Sequence, residues 1–182
     1  MISSPGHASG GALELGNVID TLNMNRHIPL LFAYQDRLVG MGFTANVSSH
    51  GRVLAVEEGE NDAWIYGVEP GALAARGADP KEALEAFRQT FTNVLRDFAG
   101  ESHSFAEFTS AVETFFRSIN EPNEQDWRRA VEAVRAGHVD IPNARREPAE
   151  SRRFIQVQEE SPSDQRRDFA VTGSSIQSTL AA

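Results

Sequence analysis

The stretch from residue 52 to residue 100 most constrains the fold, because two apolar runs in it precede a strongly signalled helix. Residues 52–56 and 63–68 are short runs rich in β-branched and aromatic side chains, which favour strands. The six residues between them, EEGEND, are too polar to bury and include a glycine. We therefore predict an antiparallel hairpin with an acidic turn.

The helix that follows is signalled by its first residues. Asp79 is a good N-cap, Pro80 stands at the first helical position, and Glu82 stands three residues after the cap. Apolar residues then recur at steps of three and four: Ala83, Leu84, Phe87, Phe91, Val94, Leu95 and Phe98. The spacing predicts an amphipathic helix over residues 79–99 that ends near Gly100, and its apolar stripe needs a sheet or another helix to cover it.

The residues around this unit carry weaker signals. Residues 43–47 alternate and predict a strand that pairs with residues 52–56 across a turn at 48–51. Residues 72–75 predict a third strand after the Pro-Gly turn. Residues 28–34 are apolar and form either an extra strand or a short docking helix, because their period does not decide between the two.

Two further helices are predicted downstream. Ser104 and Glu107 form a capping-box pair at the start of the first, which carries a Phe-rich stripe. The second is weaker and spans residues 123–136, with Gly137 as its C′ residue. Residues 153–158 alternate as a possible short strand, and the polar sequence from residue 159 onward predicts disorder.

The chain therefore divides into four predicted segments. Residues 1–27 form a flexible N-terminal segment, residues 28–100 an α+β domain, and residues 101–140 a helical extension. Residues 141–182 form a largely disordered tail that holds the possible strand. The predicted fold class is α+β, a small antiparallel sheet packed by an amphipathic helix and followed by additional helices.

The order of strand, acidic turn, aromatic strand, Pro-Gly turn and D-P-x-E-A-L resembles the HicB-like antitoxin family over residues 52–100. Members commonly show a stretch similar to V-x-x-x-P-x-L-P-G-C-x-x-x-G-x-T-x-x-E-A-L. The matching residues here are Val68, Pro70, Gly71, Gly77, Asp79, Glu82, Ala83 and Leu84. The Pro-Gly loop is shorter than usual, Ala72 replaces the cysteine, and the C-terminal DNA-binding unit that members often carry is not clear. The resemblance implies a partial RNase H-like fold without its catalytic carboxylates, and a role in neutralising a small RNA-cleaving HicA-like toxin.

Charge and composition narrow the class of partner. The formal net charge is −9, which suits a basic protein better than a membrane surface or nucleic acid. The chain has no cysteine, which excludes disulfides, thiolate catalysis and cysteine-ligated metals and fits a cytoplasmic location. No apolar run is long enough to span a bilayer, and the N-terminus lacks the pattern of a secretory signal.

The sequence offers no catalytic constellation. The five histidines are scattered without metal-ligand spacing, and the acidic turn lacks the EF-hand pattern. No nucleophile elbow, P-loop or dinucleotide-binding glycine pattern occurs. We predict a protein that is not an enzyme and needs no cofactor or metal.

The predicted function is a non-catalytic protein-binding module whose partner is a basic protein, possibly a HicA-like toxin, with homo-oligomerisation left open. The predicted partner-binding residues are Glu57, Glu58, Glu60, Asp62, Trp64, Tyr66 and Glu69, with the two aromatic residues as anchors. The alternative is a nucleic-acid-binding regulator that uses the arginines of the C-terminal third, namely Arg128, Arg129, Arg135, Arg145, Arg146, Arg152 and Arg153. An enzyme with a carboxylate-lined metal pocket is the third class.

Overall fold

The computed structural model describes residues 26–139, 145–160 and 175–181, which form one mainly antiparallel sheet and three helices. The strands are β1 (Arg26–Gly40), β2 (Phe43–Gly59), β3 (Asp62–Glu69), β4 (Ala74–Gly77), β5 (Arg146–Glu147), β6 (Phe154–Glu159) and β7 (Ser175–Ala181). The helices are α1 (Pro80–Glu101), α2 (Phe105–Phe116) and α3 (Glu121–Arg135). The strand order is β4-β3-β2-β1-β7-β5, with β6 also paired to β2. The predicted α+β class is confirmed.

The long hairpin of β1 and β2 organises the sheet. Residues 28–34 lie within β1 and therefore form a strand. The sequence had left open whether they form a strand or a short docking helix. The prediction of a turn at residues 48–51 is wrong, because β2 continues through them in register with β1. Gly51 marks a close approach instead, since a Cβ there would collide with the Phe32 ring and the Glu69 carbonyl.

The predicted hairpin of β2 and β3 is confirmed. The two strands are antiparallel, with Ala55 opposite Ile65, and Asn61 adopts a positive φ of 58° in the turn. β4 begins at Ala74 rather than at residue 72, because the backbone N–H of Gly67 donates to the Leu73 carbonyl and closes the preceding turn.

The helix caps follow the predictions closely. Asp79 accepts a hydrogen bond from the Glu82 N–H at 2.8 Å, and Ser104 accepts from the Glu107 N–H at 3.2 Å. α3 begins two residues before the predicted start, because Asn120 caps it. Gly137 has a φ of 75° after the end of α3, as predicted for a C′ residue.

Helices cover both faces of the sheet. α1 and α2 pack on one face over a core that includes Phe32, Val53, Ile65, Phe87, Phe91 and Phe108. α3 packs on the opposite face, where a smaller core holds Leu31, Leu54, Val56, Val68, Trp127 and Val131. None of the described helices is long and apolar enough to cross a membrane.

Three strands lie in the segment for which the sequence predicts a largely disordered tail. β6 spans Phe154–Glu159, one residue from the predicted strand. β5 and β7 were not predicted, and β7 pairs with β1 with Leu180 opposite Leu30. Leu180 is buried, so this segment adds to the core through a pairing partner distant in sequence. Residues 141–144, 161–174 and 182 of the tail lie outside the described residues, as do residue 140 of the predicted helical extension and residues 1–25 of the predicted N-terminal segment.

Candidate functional site

Strand β3 presents an aromatic pair on the face of the sheet that carries α3. Alternation along the strand sends Ala63 and Ile65 into the core beneath α1, so Trp64 and Tyr66 lie on the other face. Their rings are stacked, with centroids 5.7 Å apart and planes inclined by 9°. Both side chains are half-buried, so the pair is held by the sheet and still reaches solvent.

An arginine from the next strand lies over this pair. Arg76 on β4 is directly opposite Trp64, and its guanidinium carbon lies 5.9 Å from the centre of the Trp64 ring. Arg76 also donates two hydrogen bonds to the Asp62 carboxylate, at 2.7 and 2.9 Å. This hydrogen bonding and the charge of Arg76 lower the pKa of Asp62, and Asp62 raises the pKa of Arg76. The surface therefore already holds a guanidinium between an indole and a carboxylate.

The acidic turn contributes further negative charge to the same face. Burial raises the pKa of Tyr66, and the charges of Glu58 and Asp62 raise it further. Both carboxylates thus act on the phenol, which stays neutral and able to donate a hydrogen bond. Glu60 is exposed in the adjoining turn. We call the surface formed by Glu58, Asp62, Trp64, Tyr66 and Arg76 the β3 face.

Two of the predicted site residues lie elsewhere. Alternation directs Glu57 to the opposite side of the sheet, where it forms an ion pair with Arg26 at 3.6 Å. Glu69 lies at the far end of β3, roughly 23 Å from Asp62 at about 3.3 Å per residue. The structure therefore brings together Glu58, Asp62, Trp64 and Tyr66, places Glu60 beside them, and separates Glu57 and Glu69 from them.

Glu69 belongs to a buried ionic cluster that the sequence analysis missed. Arg52 is 4 % exposed and pairs with Glu69 at 3.2 Å and with Glu124 of α3 at 3.1 Å. Its guanidinium also lies 5.1 Å from the centre of the Trp127 ring. We call Arg52, Glu69, Glu124 and Trp127 the Arg52 cluster. The signal for it was an arginine directly before the apolar run of residues 53–56, since buried arginines are almost always paired.

The Arg52 cluster joins α3 to the sheet. Burial alone would raise the pKa of Glu124, but hydrogen bonds and charge from Arg52, and then from Arg128, outweigh burial and lower that pKa. Arg52 and Trp127 also line a groove of about 370 Å³ beside α3, which Val131 and Ala149 border. The Nε atom of Arg52 is buried and has no hydrogen-bond partner.

Five of the seven arginines that the sequence singled out in the C-terminal third pair with carboxylates. Arg128 pairs with Glu124 at 3.0 Å, and Arg153 pairs with Glu69 at 3.0 Å. Further ion pairs among the described residues of this region join Arg129 with Asp126, Arg135 with Glu132 and Glu150, and Arg145 with Glu147. These pairs reduce the positive potential that a phosphate backbone would meet.

Among the described residues, no group of three or more histidine, aspartate or glutamate side chains is arranged to hold a metal ion. The chain matches no protein-family model, no curated protein and no solved structure. The geometry of the β3 face and the charge of the chain therefore carry the functional argument.

Proposed function

We propose that this protein is a non-catalytic binding module whose β3 face recognises a basic protein. The observation that carries the proposal is the stacked, half-buried pair of Trp64 and Tyr66 beside the exposed carboxylates of Glu58 and Glu60. Arg76 illustrates the chemistry of this face, because its guanidinium lies over Trp64 and pairs with Asp62. An arginine or lysine of a partner meets the exposed part of the rings and the carboxylates of Glu58 and Glu60.

The make-up of the face supports a protein ligand. Tryptophan and tyrosine are enriched among residues that dominate binding energy, and Trp64 and Tyr66 are held side by side by stacking. Because the rings already have fixed positions, binding orders few side chains and loses little entropy. The net charge of −9 adds a long-range attraction that speeds encounter with a basic partner.

The partner that we propose is a small RNA-cleaving protein of the HicA-like kind, which this chain would neutralise in the cytoplasm. The resemblance to HicB-like antitoxins supports this choice. The residues that carry this resemblance form the turn after β3 and the cap of α1. One of them, Gly77, is needed because a Cβ there would collide with the backbone of Ala83. They shape the chain next to the β3 face.

The nucleic-acid-binding alternative has weaker support. Five of the seven C-terminal arginines that would contact phosphates are paired with carboxylates, and the chain as a whole is acidic. A nucleic-acid regulator would be expected to present unneutralised positive charge along one surface. We therefore treat co-purification with nucleic acid as an outcome that would contradict our proposal.

Affinity capture with a matched variant tests the proposal. The full chain and its Trp64→Ala/Tyr66→Ala variant are used as bait, and retained proteins are identified by mass spectrometry. We expect the natural chain to retain a small basic protein that the variant loses. That protein should cleave RNA alone and stop cleaving at a one-to-one ratio with the chain. Equal capture by both baits, or capture of nucleic acid alone, would reject the proposal.

A further inference from the structure

Among the residues that the structure describes, strand β6 is an edge of the sheet that neither a proline nor a bulge blocks. Among the described residues it pairs only with β2, in unbroken antiparallel register from Ala45 opposite Glu159 to His50 opposite Phe154. Edge strands in natural proteins are commonly blocked by proline, a bulge or an inward-pointing charge. β6 reads FIQVQE, which contains no proline and no glycine, and its one charge is the exposed Glu159 at its last position.

The hydrogen-bond pattern shows which backbone groups face the outer edge of β6. The Glu160 N–H donates to the Thr44 carbonyl at 2.8 Å, which sets the phase of the ladder. Because alternate residues of an antiparallel pair bond to the neighbour, Phe154, Gln156 and Gln158 direct their backbone groups toward β2. The N–H and C=O groups of Ile155, Val157 and Glu159 therefore point to the outer edge.

The sequence around β6 is complementary to itself when reversed. Residues 152–160 read RRFIQVQEE, with two arginines before the strand and two glutamates at its end, placed symmetrically about Gln156. In an antiparallel copy centred on Gln156, Ile155 lies opposite Val157. The arginine end of each copy then lies beside the glutamate end of the other, whereas parallel pairing would bring like charges together. Arg153 and Glu160 also have partners in their own chain, Glu69 and Arg37, while Arg152 and Glu159 are exposed.

We propose that the outer edge of β6 binds a second copy of this chain, with the two β6 strands antiparallel and a two-fold axis through Gln156. Ile155 and Val157 of each copy then exchange the backbone hydrogen bonds that their outward groups offer. Both side chains already pack on the core beneath α1 and α2, so the apolar layer continues across the two-fold axis.

The dimer would place the β3 faces of both copies on one side of the sheet. The evidence for the dimer does not depend on the proposed function. A two-fold axis of an antiparallel strand pair is perpendicular to the sheet, so both copies expose the same side. The two β3 faces then lie on one surface of a continuous sheet, and a partner with two basic sites binds both together. The short strand makes a small interface, so we expect a reversible, concentration-dependent dimer.

Engineered cysteines test the pairing and its register, because the chain has no cysteine of its own. In the proposed register Gln156 lies opposite its own symmetry mate, and the two form no backbone hydrogen bonds with each other because their backbone groups point toward β2. Such residues of antiparallel strands have Cα atoms about 4.5 Å apart, within reach of a disulfide. Gln156→Cys should therefore yield a covalent dimer on oxidation. Gln158→Cys is the matched control, since it is exposed on the same face but lies about 13 Å from its symmetry mate along the strands.

A proline variant tests the same edge by its affinity. The Val157 N–H faces outward, so Val157→Pro removes an edge donor and leaves the ladder with β2 intact. Sedimentation equilibrium should show the dimer dissociation constant rise by about tenfold or more, while Val157→Ala keeps the donor and changes it less. A natural chain that stays monomeric at every concentration would overturn the proposal. Equal cross-linking of the two cysteine variants would also overturn it.

Discussion

Arg52 shows how a single residue joins two layers of this protein. Its guanidinium is buried between β3 and α3, where it bonds Glu69 and Glu124 and lies over Trp127. A buried pair of this kind contributes little net stability as a whole, but removing one partner leaves an uncompensated charge. The cost of a substitution therefore depends on what remains behind.

We predict that Arg52→Met lowers the free energy of unfolding by about 3 kcal/mol, because Glu69 and Glu124 lose their buried partner and keep only the exposed Arg153 and Arg128. The measurement is urea denaturation followed by circular dichroism. The double variant Arg52→Met/Glu124→Gln should regain part of this loss, since it removes the negative charge of Glu124 that Arg52 had neutralised. A single variant as stable as the natural chain would show that the cluster is dispensable.

Glu124 makes stability depend on pH. Its pKa in the folded protein lies below the ordinary value of 4.5, so its contribution is fully present above that value. The contribution is lost as the pH falls through the lowered pKa, because protonation breaks the ion pair with Arg52. We predict that the natural chain loses stability below about pH 4.5. Glu124→Gln should lose less over the same range, as measured by denaturation at several pH values, and an equal loss would contradict this assignment.

The cap of α1 gives a second prediction at the residue scale. Asp79→Ala removes the acceptor for the Glu82 N–H and should cost about 1 kcal/mol. Asp97→Ala is the matched control, because this exposed carboxylate lies far from the start of the same helix. Thermal unfolding compares the two, and equal effects would mean that the cap does not stabilise the fold.

At the scale of elements, local signals predicted those features that local interactions determine. The β2–β3 hairpin and the starts of α1 and α2 rest on turn and cap residues a few positions apart, and the sequence placed all of them correctly. Gly51 was misread as a turn, because close approach to another strand and chain reversal leave the same glycine signal. β7 was missed because its pairing with β1 joins residues far apart in sequence.

The same limit applies to the candidate site. Alternation along β3 was enough to place Trp64 and Tyr66 together on one face, and the charges of the turn were visible in the sequence. Arg76 was missed because its position opposite Trp64 depends on where β4 begins. Glu69 was grouped with the turn by nearness in sequence, although strand geometry carries it to the other end of β3.

The stripe of α1 gives a prediction for the element as a whole. Phe91 is fully buried and meets Phe32 and Tyr34 edge-on, with ring centroids 5.7 and 4.8 Å apart. Phe91→Ala should cost about 3–5 kcal/mol, whereas Leu84→Ala should cost less because Leu84 is only partly buried. Chemical denaturation of both variants measures the difference. A larger loss at Leu84 would contradict this account of the core.

At the scale of the whole molecule, charge and shape act on binding in different ways. The net charge of −9 attracts a basic partner at a distance, while the stacked rings of the β3 face act only after contact. Reversing an exposed carboxylate should therefore change the association rate, and truncating Trp64 should mainly change the dissociation rate.

The most direct test of the central claim is the association rate with the captured basic partner, measured by stopped-flow fluorescence at several salt concentrations. The test variant is Glu58→Lys/Glu60→Lys, which reverses one carboxylate of the β3 face and one of the adjoining turn. The control is Asp97→Lys/Glu101→Lys, which makes the same change in net charge on α1. We predict that Glu58→Lys/Glu60→Lys slows association about tenfold or more and that the control variant slows it less. Added salt should reduce the difference in association rate between the two variants. Equal slowing by both variants would contradict recognition through the β3 face. An association rate that changes neither with the charge reversals nor with salt would contradict it as well.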